Sequence, residues 1–281
     1  MATTTLFPGT LITVAPTGAE VEKAKVPALP VTLDELVTTA RECEGLGASV
    51  IHVHIRDDAG QPTLDPGRLR DTVAALRAQT SLIVQLSSGG SVHDAEADRL
   101  RVLDAGPDMA SCTMGTVNFG EDVFLNRWAF IVELHTRMQQ KGIVPEYEIF
   151  DLGQLSTLER LLSTYGMPFG GHVHVDLVMG VPGGMPGTAE ALVACTRALR
   201  DLPAGTTFSA TGIGRTTLPV MLASLAAGGH LRVGMEDTVT YAKGQPVESN
   251  AQLVARAAGL ARVAQRPPMP VADARTLLGI K

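Results

Sequence analysis

Residues 52–56 read His-Val-His-Ile-Arg, two imidazoles and a guanidinium at every second position of a β-branched run. On a strand such residues project from one face, while Val53 and Ile55 project from the other. A third candidate donor stands far along the chain at 231–237, Leu-Arg-Val-Gly-Met-Glu-Asp, where Arg232, Gly234 and Glu236 share a face. His52, His54 and Glu236 together make a two-histidine, one-carboxylate set, an arrangement that holds zinc and leaves a position for substrate or water. Metal held this way polarises a carbonyl as a Lewis acid. The competing reading is a pair of core imidazoles hydrogen-bonded to neighbouring strands. A second pair, His172 and His174, reads as barrel interior because it opens its strand instead of closing it.

The elements that would position these groups follow a repeated rhythm. Strand-like runs fall at 11–16, 49–55, 81–87, 109–114, 145–150, 172–178, 207–212 and 231–236. The spacing predicts helices over 32–46, 66–79, 94–105, 122–141, 152–165, 188–201, 217–228 and 248–265, with a short tail helix at 272–279. Thr32-Leu-Asp-Glu35 is a capping box, and Pro66 suits a first helical turn. Eight strands alternating with eight helices describe an α/β chain folded as a (β/α)8 TIM barrel, a single domain over 1–281 with a short carboxyl-terminal helical tail. An open doubly wound sheet is disfavoured, because Ala15-Pro-Thr-Gly18 replaces the Gly-x-Gly-x-x-Gly fingerprint after the first strand.

Such a barrel carries its chemistry on the loops after the strands. Ser87-Ser88-Gly89-Gly90 closes the third strand with two hydroxyls and a potential backbone nest for an anion. Gly115-Thr116-Val-Asn118-Phe-Gly120 is a polar loop after the fourth. Glu146 and Glu148 share one face of the fifth, and an inward, buried carboxylate needs a cation, a metal or a charged substrate. Gly212-Ile-Gly214-Arg215 ends the seventh strand where this fold commonly binds phosphate. Cys43, Cys112 and Cys195 lack a helix amino terminus or cation beside them and read as buried and inert.

Composition narrows the class. Of 281 residues, 45% are hydrophobic and 19% charged, which describes a chain with ample apolar surface to bury. A net charge of −6 without a basic cluster argues against nucleic-acid or anionic-membrane partners. Three scattered cysteines do not make a disulfide framework. Residues 1–5 lack the basic region of a signal peptide, so a cytoplasmic protein is expected.

Seven motifs in order carry a resemblance: Ala-Pro-Thr-Gly-Ala-Glu at 15–20, the His-x-His-x-Arg run with Asp-Asp-Ala-Gly after it, Ser-Ser-Gly-Gly at 87–90, Gly-Thr-Val-Asn-Phe-Gly at 115–120, Pro-Glu-Tyr-Glu-Ile-Phe-Asp at 145–151, Gly-Ile-Gly-Arg at 212–215, and 229–237. The whole chain resembles the β-keto acid cleavage enzyme family. The resemblance implies a Zn2+ TIM barrel that cleaves a β-keto acid by retro-Claisen acyl exchange with acetyl-CoA, giving acetoacetate and a new acyl-CoA. It implies His52, His54 and Glu236 as metal ligands, Asp237 as catalytic base and Arg232 as the arginine that sets the charge state of Asp237. Glu20, Ser87, Ser88 and Ser111 would line the substrate pocket, joined by Thr116, Asn118 and Glu148. Gly212, Gly214 and Arg215 would hold CoA, Arg56 would orient a ligand or carboxylate from behind, and the protein would be a homo-oligomer, a tetramer by resemblance. Two other readings stay open: a zinc hydrolase or aldolase acting without CoA, and a non-catalytic metabolite binder.

Overall fold

Eight parallel strands alternate with helices in the computed structural model, which describes residues 9–281. Residues 1–5, on which the signal-peptide expectation rests, lie outside the described residues. The strands are β1 (Ile12–Val14), β2 (Val50–Val53), β3 (Ile83–Leu86), β4 (Met109–Thr113), β5 (Val144–Ile149), β6 (His174–Met179), β7 (Thr207–Gly212) and β8 (His230–Val233). Each pairs with its neighbour in sequence, and β8 closes on β1 through Ile12↔Leu231 and Thr13↔Arg232, so the sheet is a closed barrel. The helices are α1 (Leu33–Leu46), α2 (Pro66–Gln79), α3 (Glu96–Arg101), α4 (Trp128–Lys141), α5 (Gly153–Tyr165), α6 (Ala189–Ala198), α7 (Thr217–Ala226), α8 (Asn250–Val263) and a tail helix α9 (Val271–Leu278). No helix among the described residues is long and apolar enough to cross a membrane.

Local chemistry explains the helix ends. The Thr32 hydroxyl accepts from the Glu35 amide while the Glu35 carboxylate accepts from the Thr32 amide, the reciprocal capping box expected from sequence. Asp65 caps α2 by accepting from the Arg68 amide, with Pro66 in the first turn.

Period-2 alternation splits the barrel into two environments. Outward residues such as Ile12, Val14, Ile51, Val53, Val84 and Leu86 pack on apolar faces of α1, α2 and α8. On the other half Cys112, Tyr147, Ile149, Val175 and Leu177 pack on α4 and α5. The hydrophobic core is therefore the shell between sheet and helices. Inside, the lowest layer is also apolar: Leu11, Val50, Ile83, Met109 and Val144 meet Met269, Ala274, Leu277 and Leu278 from the tail. One pleat higher the interior turns polar, with Thr13, His52, Gln85, Ser111 and Glu146 all buried. His174 joins this interior, contacting the Thr207 hydroxyl at 2.8 Å and Ser209 at 3.0 Å, and His172 reaches the same Thr207 oxygen at 2.8 Å. His174 is a barrel-interior residue, as its place at the start of β6 requires, whereas His172 precedes the strand and is half-buried at its lower end.

Three stretches differ from expectation. The helix predicted from residue 122 begins at Trp128, and residues 122–124 instead form a strand. It pairs antiparallel with Val117–Phe119 through Val117↔Phe124 and Phe119↔Asp122, so the expected polar loop at 115–120 is half of a hairpin. Edge contacts among Phe119, Phe124 and Phe150, with centroids 6.2–6.4 Å apart, favour this packing over an earlier helix start. The second strand ends at Val53, because Ile55–Arg56 leaves the barrel to pair with Pro62–Thr63. Cys43, Cys112 and Cys195 are buried free thiols, and burial pushes them up to about 12, 12 and 11.

The tail helix fills the barrel floor, so truncating its most buried leucine tests that role. Leu278→Ala is expected to lower unfolding free energy by about 2–5 kcal/mol in urea titrations; a loss well under 1 kcal/mol would show that α9 is not part of the core.

Candidate active site

The carboxyl ends of β2 and β8, neighbours of β1 on either side, bring the first candidates together. His52 ends up inside β2, and His54 follows one residue after its end. Glu236 lies three residues past β8 in a turn where the Asp237 and Thr238 amides donate to the Gly234 carbonyl. The Nε2 atoms of His52 and His54 stand 3.7 and 3.6 Å from Glu236 Oε1, and the three residues offer donor atoms within 4.8 Å of one another. His52 Nε2 and Glu236 Oε2 are buried without a hydrogen-bond partner among the described residues. Burial pushes the His52 imidazole down to about 3, against the pull of Glu236, which keeps it a neutral ligand donor. Two unpartnered buried atoms, one imidazole nitrogen and one carboxylate oxygen, with His54 within reach of both, fit a divalent metal. Gly18 is required beside them: it has φ +62°, and a Cβ there would sit 2.7 Å from Glu236 Cγ.

Arg232 organises the carboxylates next to this set. Its guanidinium is 4% exposed and lies 2.5 Å from Glu236, 3.0 Å from Asp237, 3.3 Å from Glu148 and 3.9 Å from Asp176. Burial opposes its charge, but these four acids outweigh burial and keep it protonated. Burial raises the Glu236 carboxyl, and Arg232 with His54 and His52 more than reverses this, holding it well below the usual range. Asp237 behaves in the opposite way: burial and the adjacent Glu236 push it up to about 7 against the pull of Arg232. Asp176 is pushed up to about 6 by burial while accepting from Thr211, and Glu146 to about 8 by burial and Asp176. Two adjacent carboxyls, Glu236 and Asp237, are thus driven apart, one a permanent anion and one poised to gain or lose a proton near neutrality.

A cavity of ≈ 430 Å³ opens above this layer. His52, His54, Arg232, Glu236 and Asp237 form its metal-competent side, and Phe119, Phe124, Phe150, Val178 and Ile213 form the facing apolar wall. Of the residues expected to line a substrate pocket, Glu20, Ser87 and Glu148 do so. The Ser87 hydroxyl accepts from the Gly89 amide at 3.1 Å, leaving its proton free for a ligand. Glu148 accepts from Thr113 at 2.7 Å and faces Arg232, so its inward charge is compensated within the protein.

The other four expected lining residues, Ser88, Ser111, Thr116 and Asn118, lie outside the cavity wall. Ser88 and Ser111 bond each other, the Ser88 amide to Ser111 Oγ at 3.1 Å and the Ser88 hydroxyl to the Ser111 carbonyl at 2.6 Å, and neither lines the cavity. The Thr116 hydroxyl accepts from the Asn126 amide at 2.9 Å, and Thr116 and Asn118 are both exposed on the hairpin side. The Gly214 amide donates to the Asp237 carbonyl, and Gly212 is a packing position, since a Cβ there would meet the Thr216 carbonyl oxygen at 2.5 Å. Arg215 is exposed at the end of β7 and does not line the cavity. Arg56 donates to the carbonyls of Gly18 and Val21 at 2.6 and 3.0 Å, so it clamps the loop carrying Glu20 instead of orienting a ligand.

Two residues escaped the sequence reading. Arg99 is buried, donates to the Ser88 and Leu125 carbonyls and to Asn126, and lies over the Phe124 ring, bracing hairpin and loop together. Gln85 contacts His52 Nδ1 at 2.5 Å and donates to Glu146 at 3.0 Å. A lone amide facing inward from the apolar run Ile83-Val-Gln-Leu86 was its only signal.

A (β/α)8 barrel with a two-histidine, one-carboxylate set and a neighbouring titratable aspartate lining one cavity defines a barrel enzyme with a metal-competent centre. A family model described as beta-keto acid cleavage enzyme matches residues 10–280, and the chain belongs to that family. The 3-keto-5-aminohexanoate cleavage enzyme of Acetoanaerobium sticklandii is 37% identical over 276 residues, covering 96% of this chain and 98% of that protein. The 3-oxoadipate:acetyl-CoA acetyltransferase of Cupriavidus necator is 35% identical over 271 residues, covering 96% and 94%. Among solved structures, the ternary complex of ObcA with C4-CoA adduct and oxalate shares the barrel fold, with a TM-score of 0.78 at 18% identity over 90% of this chain and 68% of that one.

Arg232 generates a clear expectation. Arg232→Met leaves buried carboxylates without their cation and is expected to cost about 3–5 kcal/mol of stability in denaturant titrations. Arg232→Lys, which keeps the charge but loses the fork, is expected to cost less; equal losses would assign the effect to shape alone.

Proposed function

We propose that this protein exchanges acyl groups between a β-keto acid and acetyl-CoA, releasing acetoacetate and a new acyl-CoA. The bond between the keto carbon and the methylene carbon of the β-keto acid breaks. The acyl fragment ends on the CoA sulfur, and the acetyl group ends on the methylene carbon. Atoms balance with acetyl-CoA as the one co-reactant and without added water. The observation that carries this reading is the His52, His54 and Glu236 set sharing one cavity with Asp237, in a chain whose relatives bear names for cleavage and acetyl-CoA transfer of β-keto acids.

His52, His54 and Glu236 would hold the metal, for which this donor set suits Zn2+, and when bound it supplies a Lewis acid for the substrate's keto and carboxylate oxygens. Asp237, with its carboxyl raised to about 7, is the group that takes a substrate proton at neutral pH. Arg232 fixes that carboxyl through contacts at 3.0 and 3.4 Å. Ser87 donates its hydroxyl to a substrate oxygen, and the apolar wall of Phe119, Phe124 and Phe150 keeps water from the reacting carbons. Glu20, exposed at the mouth, is placed to meet the substrate's side group. Arg215, exposed at the end of β7, is the cation we assign to the CoA phosphates. Exposed Leu218 and Leu222, one turn apart on α7, support assembly as a homo-oligomer, and use of acetyl-CoA supports a cytoplasmic site of action.

Incubation with acetyl-CoA and a panel of β-keto acids is expected to yield acetoacetate and one new acyl-CoA, identified by mass. Turnover without acetyl-CoA would instead establish the hydrolase or aldolase reading. Dialysis against a chelator is expected to abolish turnover and Zn2+ to restore it, while His54→Ala loses both bound metal and turnover. A chelated, metal-free and fully active protein would refute the metal assignment.

A further inference from the structure

Beneath the metal-competent set runs a column of buried polar contacts that the acyl exchange itself does not use. Gln85 is completely buried, and both ends of its amide are engaged: Oε1 lies 2.5 Å from His52 Nδ1, and Nε2 donates to Glu146 Oε1 at 3.0 Å. Glu146 is in turn buried beside His174, whose Nε2 stands 3.5 Å from its other oxygen. His174 is held by Thr207 and Ser209. The column is directional. An amide flipped end for end would set its oxygen against the Glu146 oxygen and its NH2 against His52. A buried polar group left facing its own kind loses the whole benefit of its hydrogen bond.

We infer that Gln85, oriented by Glu146, is the positioning residue that fixes the tautomer of His52. With the Gln85 oxygen facing Nδ1, that nitrogen carries the proton and donates. Nε2 then keeps its lone pair, and Nε2 is the atom that faces Glu236 and has no other partner. A metal-binding imidazole whose second nitrogen donates to a fixed acceptor has its ring orientation and basicity set from behind. The role of Glu146 follows: it touches no donor atom of the set, yet it decides which end of the amide His52 meets. As a carboxylate Glu146 can only accept from Gln85, and as a neutral acid it accepts through the oxygen that lacks the proton. The inference rests on the metal-site reading above, and the tautomer of His52 is measurable without metal.

The test uses the intact, metal-free protein labelled with 15N at histidine, whose ring shifts report the tautomer, and a Zn2+ competition titration against a chromophoric chelator. Wild type is expected to show His52 with its proton on Nδ1. Glu146→Leu removes the acceptor, frees the amide to turn, and is expected to move that proton to Nε2 and weaken Zn2+ binding by about 10- to 100-fold. Glu146→Gln retains an acceptor oxygen and is expected to restore both readouts. Gln85→Met, of similar shape without hydrogen bonds, is expected to weaken Zn2+ to the same extent, and serves alone if Glu146→Leu does not fold by circular dichroism. An unchanged tautomer and unchanged Zn2+ affinity in Glu146→Leu or Gln85→Met would overturn the inference. Absence of Zn2+ binding in wild type would overturn the metal-site reading, while the tautomer shift would still decide the role of Gln85.

Discussion

One buried guanidinium sets the terms for everything above the barrel floor. Arg232 sits inside the sheet with four carboxylates within 4.0 Å of its nitrogens. Removing such charges from water is expensive, so the cluster persists only because each member satisfies another. The surplus of negative charge around one cation is divided unevenly. Glu236 keeps its charge and faces the two histidines, whereas Asp237, one residue later, is held near neutrality. The same residue that makes a polar interior tolerable therefore assigns different duties to adjacent acids.

That interior departs from the aliphatic filling common in this fold. Here aliphatic packing is confined to the lowest layer, where Leu11, Val50, Ile83, Met109 and Val144 meet the tail. Hydrogen-bonded side chains occupy the middle, and the cavity begins above them. Stability comes chiefly from the shell between sheet and helices, which frees the middle of the barrel to carry charge.

Much of this was legible because strand and helix periods differ. Alternation placed His52 and Arg232 on the inner face, and the order of strands put both at the open end; Glu236 reaches the same point from a turn after β8, because the strand expected over 231–236 ends at Val233. The inward reading of Glu146 and Glu148 held for the same reason. Ser88, Ser111 and Thr116 were not legible as bracing residues, because a hydroxyl's partner depends on which loops meet, and loop contacts have no period. Arg56 misled similarly: it shares the alternation of the histidines, but the strand leaves the barrel at Ile55, and its guanidinium turns to the backbone of a neighbouring loop. The hairpin at 117–124 was hidden by apolar residues that read equally well as a helix start, and only the three-phenylalanine contact decides between them. Gln85 carried a faint signal, one amide in an aliphatic strand, whose meaning depends on Glu146 across β4.

The plug formed by α9 has a kinetic consequence. With the floor of the barrel filled by Ala274, Leu277 and Leu278, traffic to the reacting groups is confined to the mouth framed by Glu20, Val92 and the hairpin. Two substrates that enter by one doorway must also leave by it as two products, each able to block the next arrival.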